Sequence, residues 1–221
     1  MTRANVDLLV IERPLLERGD VVVGVDEVGR GALAGPMTVG AVVVTDLASP
    51  PKGLNDSKLL TPALREALVS PLENWAAAWS LGSVSAAEID AWGLRLALAV
   101  AATRAIDGLS IRPTHALLDG SVNLLRAPLD VAFDAVAPPR LSYDQLPVTT
   151  VVKGDRRCAT IAAASVLAKV HRDRLMVEMG AEFERYCWAQ NKGYGAPRHL
   201  QVLREDGPCR HHRLTWRLLA S

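Results

Sequence analysis

Two adjacent carboxylates, Asp26 and Glu27, stand at the end of the apolar run Val21-Val-Val-Gly-Val25, with Gly29-Arg30-Gly31 and Gly35-Pro36 just behind them. Three chemistries compete for such a stretch. The plainest is a solvated acidic turn. The second is a dinucleotide loop, because Gly29-Arg-Gly31-Ala-Leu-Ala34 fits a G-x-G-x-x-A pattern after a strand. That loop needs a helix opening at the glycines, with its amides facing the pyrophosphate. Here Gly35-Pro36 stops any helix within a turn, and two carboxylates ahead of the loop would repel phosphate. The third is a divalent-cation site. Hard oxygen ligands suit Mg2+ or Mn2+, and glycines beside them let a nucleic-acid backbone come close.

Further along, Asp119 closes Thr114-His-Ala-Leu-Leu-Asp-Gly120. It reads either as a turn-forming Asp-Gly or as a second ligand at a strand end. Asn55-Asp-Ser57-Lys58 is an Asx- and Ser-rich turn carrying a lysine. Lys192-Gly-Tyr194-Gly is a Gly-rich turn ahead of a helix, with Tyr194 as a hydrophobic plug on the plainest reading.

The elements that must position these groups follow from pattern. The valines before Asp26 read as a strand buried on both faces. Met37 to Thr45 reads as a second strand. Thr61-Pro62 opens a helix towards Trp75, with Thr as N-cap and Pro at the first position. Ala77 to Val84 is a third strand. Ser85-Ala-Ala-Glu88 is a capping box, and after Trp92-Gly93 a longer helix runs to Asp107-Gly108. Thr114 to Gly120 and Val148 to Val152 are further strands, His115 being a structural residue of the first. Thr160 onwards is an alanine-rich helix able to lie close on a sheet. In it Asp173 is expected to pair with a neighbouring arginine. Residues 1–19 read as an N-terminal arm or short helix broken by Pro14, and residues 123–147 as a surface insertion without a role.

Half the 221 residues are hydrophobic (49%), enough for one sizeable domain. No apolar run is long enough to span a bilayer, and acids interrupt the N-terminal apolar stretch, which is wrong for a signal peptide. The three cysteines, Cys158, Cys187 and Cys209, are scattered and odd in number. That argues for a reducing compartment, the cytoplasm, and against a zinc site. The net charge of +1 conceals an asymmetry: residues 1–150 carry 12 Lys/Arg against 17 Asp/Glu, residues 151–221 carry 13 against 7. A basic last third is either a solvated helical face or a phosphate-facing surface.

Asp26-Glu-Val-Gly-Arg-Gly-Ala-Leu-Ala-Gly-Pro36 resembles the first signature block of ribonuclease HII, the type 2 ribonuclease H family, with Ala32 where that family commonly has proline. Asn55-Asp-Ser-Lys58 is similar to a second block, with Leu59 replacing its second lysine. Leu118-Asp-Gly120 resembles a third. Lys153-Gly-Asp155 with Thr160-Ile-Ala-Ala-Ala-Ser165-Val-Leu-Ala-Lys169 resembles a fourth, and Lys192-Gly-Tyr-Gly195 and Gly207-Pro to Trp216 resemble later ones. The resemblance covers residues 20 to 217.

It implies an α/β ribonuclease H-like fold, a mixed sheet flanked by helices. The core would span about 20–180, with a small helical substrate-binding portion at about 181–217. It implies four catalytic carboxylates, Asp26, Glu27, Asp119 and Asp155, holding two Mg2+ or Mn2+ ions ~4 Å apart. Gly29, Arg30 and Gly31 would read a ribose 2′-hydroxyl. Ser57 and Lys58 would touch the nucleic-acid backbone, and Tyr194 would stack on a deoxynucleotide at an RNA–DNA junction. The implied reaction is cutting of RNA–DNA hybrids and of duplex DNA 5′ of embedded ribonucleotides, by a monomer, leaving a 3′-hydroxyl and a 5′-phosphate. No clamp-binding tail is expected after Trp216. Two alternatives stay open: a ribonuclease HIII-like nuclease, which Arg30 and the short N-terminus disfavour, and a hybrid-binding module without catalysis.

Overall fold

The structure, a computed structural model, describes residues 7–126, 141, 143 and 145–219. Five strands form one mixed sheet in the order β3-β2-β1-β4-β5. These are β1 (Val22–Val28), β2 (Met37–Val44), β3 (Ala78–Val84), β4 (His115–Asp119) and β5 (Val148–Val151). Strand β1 sits at the centre, antiparallel to β2 and parallel to β4. β4 is in turn parallel to β5. Every residue of β2 is buried, as its unbroken apolar run requires of a strand covered on both faces.

Helix α3 (Ala86–Asp107) covers one face and α4 (Ala159–Glu182) the other. The Ser85–Glu88 capping box forms, and α3 breaks at Gly93 (φ 72°, ψ 160°) into the short and long helices expected. On the α4 side the sheet presents glycines. A Cβ on Gly24 would stand 2.3 Å from the Thr160 carbonyl carbon, and one on Gly40 2.4 Å from the Ala164 oxygen. Small residues on both surfaces thus let the helix axis come close, and whatever α4 carries is held tightly against β1.

The pleat then decides direction. Val23 and Val25 point into the cluster under α3, while Val22 packs with Ile161 of α4. Gly24 and Asp26 share the face of Val22, so Asp26 faces α4. By the same alternation Leu117 packs on the α4 side and Leu118 on the α3 side, so Asp119 also faces α4. Helix α2 (Pro62–Trp75) packs alongside α4, with the Thr61 hydroxyl accepting from the Leu64 amide as its N-cap.

Two expectations are corrected. Pro14 does not break the N-terminal segment; it lies in the first turn of α1 (Arg13–Leu16), where its missing N–H costs nothing. The short helix read within residues 1–19 is this α1, and the segment around it is packed on the core. Leu9, Leu15 and Leu16 are core residues, and buried Glu12 accepts from the Thr160 amide and hydroxyl at 3.0 and 2.9 Å, capping α4. Asp173 pairs with Lys169 one turn back at 2.7 Å, not with an arginine. Most of the 123–147 stretch lies outside the described residues, but its ends are anchored in the core. Leu125 is fully buried, and Leu141, Tyr143 and Leu146 pack against the α3 cluster.

The C-terminal portion forms α5 (Trp188–Asn191) and α6 (Pro197–Asp206) around a separate apolar cluster of Met176, Tyr186, Trp188, Val202 and Leu203. The three cysteines are free. Among the described residues no helix is long and apolar enough to cross a membrane.

Candidate active site

The parallel pairing of β1 and β4 sets Val25 opposite Leu118, so Asp26 and Asp119 leave the same end of neighbouring strands on the same face. Asp155 arrives from the short 3-10 turn at Gly154–Arg156, directly after β5. The Gly154 amide donates to Asp119 Oδ1 at 2.7 Å, which ties that turn to β4. The three acids that sequence places far apart therefore meet at one end of the sheet. Glu27 alternates to the other face of β1 and lies 3.4 Å from Arg30 Nη1.

Their electrostatics record the crowding. Asp26 is 4% exposed. Burial, helped by the charges of Glu27 and Asp119, pushes its carboxyl up to about 7, against the adjacent Ser165 hydroxyl, which favours the ion. Asp155 is pushed up to about 6 by burial and by the nearby Asp56 and Asp119 charges, with Lys58 opposing. Lys58 Nζ stands 3.8 Å from Asp155 Oδ2; burial works against its charge, but the fields of Asp26, Asp155, Asp56 and Asp119 together outweigh that and raise its pKa. One ammonium thus faces an excess of negative charge. The donors are all carboxylate oxygens, the set that hard divalent cations prefer, and a cluster held partly protonated by burial, with mutual repulsion adding to it, gains from added positive charge. Among the described residues no three acidic, histidine or cysteine side chains already stand in one ion's shell. The fit thus lies in donor type, charge and convergence.

Residues not singled out from sequence complete the site. Ser165, in the alanine run of α4, lies beside Asp26 and 2.8 Å from the Ser57 hydroxyl. Ser57 is accordingly turned inward, 4% exposed, and its hydroxyl belongs to this buried chain rather than to the surface expected for it. A lone serine among buried alanines was the available signal. Asp56 is buried and accepts from Arg156 Nε and Nη2 at 3.1 and 3.0 Å and from the Lys58 amide at 2.9 Å. Burial raises its pKa, but these donors outweigh it and hold the carboxyl below its ordinary value.

The glycine loop after β1 is held from beneath by two arginines, both fully buried. Arg213 donates to Arg30 O at 2.6 Å and to Gly29 O. Arg172 donates to Pro36 O, Lys192 O and Ala34 O at 2.7, 2.9 and 3.2 Å. Gly29 has φ +82°, and an added Cβ there would strike Arg172. Arg30 and Gly31 remain exposed. The loop is also bonded to the Tyr194 turn, since the Leu33 and Ala34 amides both donate to Gly193 O, at 2.8 and 3.2 Å. Tyr194 itself is half-buried, with Arg172 and Lys169 near its ring at 5.5 and 6.0 Å.

The profile of the ribonuclease HII family matches residues 23–219. A ribonuclease HII of Streptomyces griseus is 48% identical over 201 residues, which is 90% of this chain and 78% of the relative. One from Jannaschia sp. is 45% identical over 211 residues, 96% of this chain and 95% of the relative. The crystal structure of ribonuclease H2 from Pyrococcus horikoshii superposes with a TM-score of 0.69 at 27% identity, over 89% of this chain and 94% of that one. With the sheet, the converging acids and the matched blocks in agreement, the chain belongs to the ribonuclease HII family of endoribonucleases, which hydrolyse the RNA strand of RNA–DNA hybrids.

Proposed function

We propose that this endoribonuclease also nicks duplex DNA 5′ of embedded ribonucleotides, down to a single one, through two divalent cations, Mg2+ or Mn2+. Asp26, Asp119 and Asp155, which meet at one end of the sheet, would hold the cations, and Glu27, on the neighbouring face, adds its negative charge beside Asp26. When bound, the pair supplies a nucleophilic water at neutral pH and charge stabilisation at the phosphodiester. Water adds to phosphorus and the bond to the 3′ oxygen breaks, leaving a 3′-hydroxyl and a 5′-phosphate. Ser165 holds Asp26 in place, and the Gly154 amide orients Asp119.

Selectivity is assigned to other groups. The exposed loop at Gly29, Arg30 and Gly31 reads the 2′-hydroxyl that separates RNA from DNA. Tyr194 stacks on the next, deoxy, sugar-base unit, a contact worth ~1–3 kcal/mol. Lys58 meets a backbone phosphate. All of these groups come from one chain, which supports a monomer as the working unit.

The observation that carries the reading is the hydrogen bonding of Leu33 and Ala34 to Gly193 O, at 2.8 and 3.2 Å. It ties the loop that follows Asp26-Glu27 to the Tyr194 turn, so a ribose read by the loop would have its neighbouring nucleotide beside the tyrosine. The test is cleavage of a DNA duplex carrying one ribonucleotide, with and without EDTA, beside a long hybrid. EDTA-sensitive nicking 5′ of the ribonucleotide supports the proposal. Cutting confined to long hybrids, or binding without cutting, overturns it.

A further inference from the structure

Two histidines lie behind the Tyr194 turn, in the cluster that joins α5, α6 and the C-terminal segment. His199 and His212 are 0% and 1% exposed, and their Nε2 atoms are 3.0 Å apart. The proton positions follow from fixed groups at either end. The Cys209 amide, which can only donate, lies 3.0 Å from His212 Nδ1, so that nitrogen is bare and the proton of His212 sits on Nε2. It points at His199 Nε2, which must accept. The same atom takes the Trp188 indole N–H at 3.3 Å, a second group that can only donate. The proton of His199 is therefore on Nδ1, 2.8 Å from Tyr194 O, which can only accept. From Cys209 to Tyr194 each donor meets an acceptor, and both rings are neutral.

The end of this chain matters because of what flanks it. Tyr194 lies between Gly193, at φ +83°, and Gly195. Glycine neighbours put few steric limits on the backbone at Tyr194, so its hydrogen bonds set its orientation. Its carbonyl is held by two donors, the Ala196 amide at 2.8 Å and His199. The rings cannot simply swing away. Tyr186 packs edge-on against both, at 5.8 and 4.6 Å between centroids, and Trp188, stacked on Tyr186 at 5.2 Å, packs beside it against the same two rings.

We propose that His199 and His212 form a neutral relay that positions Tyr194, so that they are specificity-determining residues for cutting at an RNA–DNA junction. The proposal rests on the stacking role given to Tyr194 above. Burial lowers the pKa of both imidazoles, that of His212 to about 4, which agrees with a neutral pair. A proton added to either ring would set N–H against N–H at the Cys209 amide or between the rings.

The relay is tested on the whole protein in two ways. Nitrogen-15 NMR of the imidazoles at pH 7 is expected to show His199 protonated on Nδ1 and His212 on Nε2; the opposite tautomer at either ring, or a charged ring, overturns the relay without recourse to activity. In cleavage assays the readout is the ratio of cutting at a single embedded ribonucleotide to cutting within a long RNA tract. Tyr194→Ala should lower that ratio between about fivefold and a hundredfold, the span of one base–aromatic stack. His199→Leu should lower it in the same direction, and His199→Asn, whose amide nitrogen takes the place of Nδ1, should restore it. A ratio that falls in Tyr194→Ala but holds in His199→Leu overturns the relay alone. An unchanged ratio in Tyr194→Ala overturns the stacking role and with it the link to specificity. Equal loss on both substrates in His199→Leu reduces the pair to a structural support.

Discussion

Replacing Asp26 by asparagine should stabilise the metal-free protein while abolishing cutting, and the size of the gain should depend on pH. The carboxyl is raised from 3.8 to about 7 in the fold, chiefly by burial. A raised acid means that the folded state keeps a proton the unfolded chain has lost. The destabilisation is therefore absent below about pH 4, grows as pH rises, and is complete above pH 7. From those two pKa values it comes to about 4 kcal/mol at pH 8 and about 2 kcal/mol at pH 5. A chain of this size moves its midpoint by roughly 2–4 °C per kcal/mol. In EDTA, Asp26→Asn should melt above the wild type at both pH values, and the gap should be wider at pH 8 by about 5–10 °C. Every other ionisable side chain is common to both proteins, so the difference isolates the Asp26 carboxyl. A gap that does not change between pH 5 and 8, or an asparagine variant that melts lower at pH 8, would refute the account of a crowded, dehydrated acid.

Asp119→Asn should lose cutting yet bind hybrid within a few-fold, read by gel shift; near-normal turnover would remove it from the cation site. Lys58→Ala should flatten the slope of log K against log salt by about 0.9, one phosphate contact, when hybrid binding is titrated. Gly40→Ala drives a Cβ into the Ala164 carbonyl and should cost about 1–3 kcal/mol in denaturant unfolding. Glu12→Ala removes the acceptor for the Thr160 amide and hydroxyl and should cost about 1–2 kcal/mol, as loss of a helix cap does. A variant indistinguishable from the parent would return residues 7–16 to the status of a passive arm.

Much of the frame was legible because its rules are local. Val21 to Val25 could only be a covered strand, Thr61-Pro62 and Ser85-Ala-Ala-Glu88 carry their own start signals, and Gly93 announced the break in α3. Pro14 was misread because the same missing N–H that breaks a helix inside is harmless in its first turn. Asp173 went to the wrong partner because one helical face offers both lysine and arginine neighbours, and only side-chain placement chooses between them.

By itself, the order of residues determined which side chains could do chemistry here: acids at Asp26, Glu27, Asp119 and Asp155, a lysine at 58, a tyrosine between glycines. Their type and local punctuation are properties of short stretches. Tertiary structure alone decided that Asp26 and Asp119 share a face and that Ser57 turns inward to Ser165. It also decided that two buried arginines hold the glycine loop by its carbonyls, and that a histidine pair ends on the Tyr194 carbonyl. The reason is physical. Strand register, the pleat and the close seating of α4 on glycines set which distant groups are buried together, and a buried polar group must take whatever partner that packing leaves within reach.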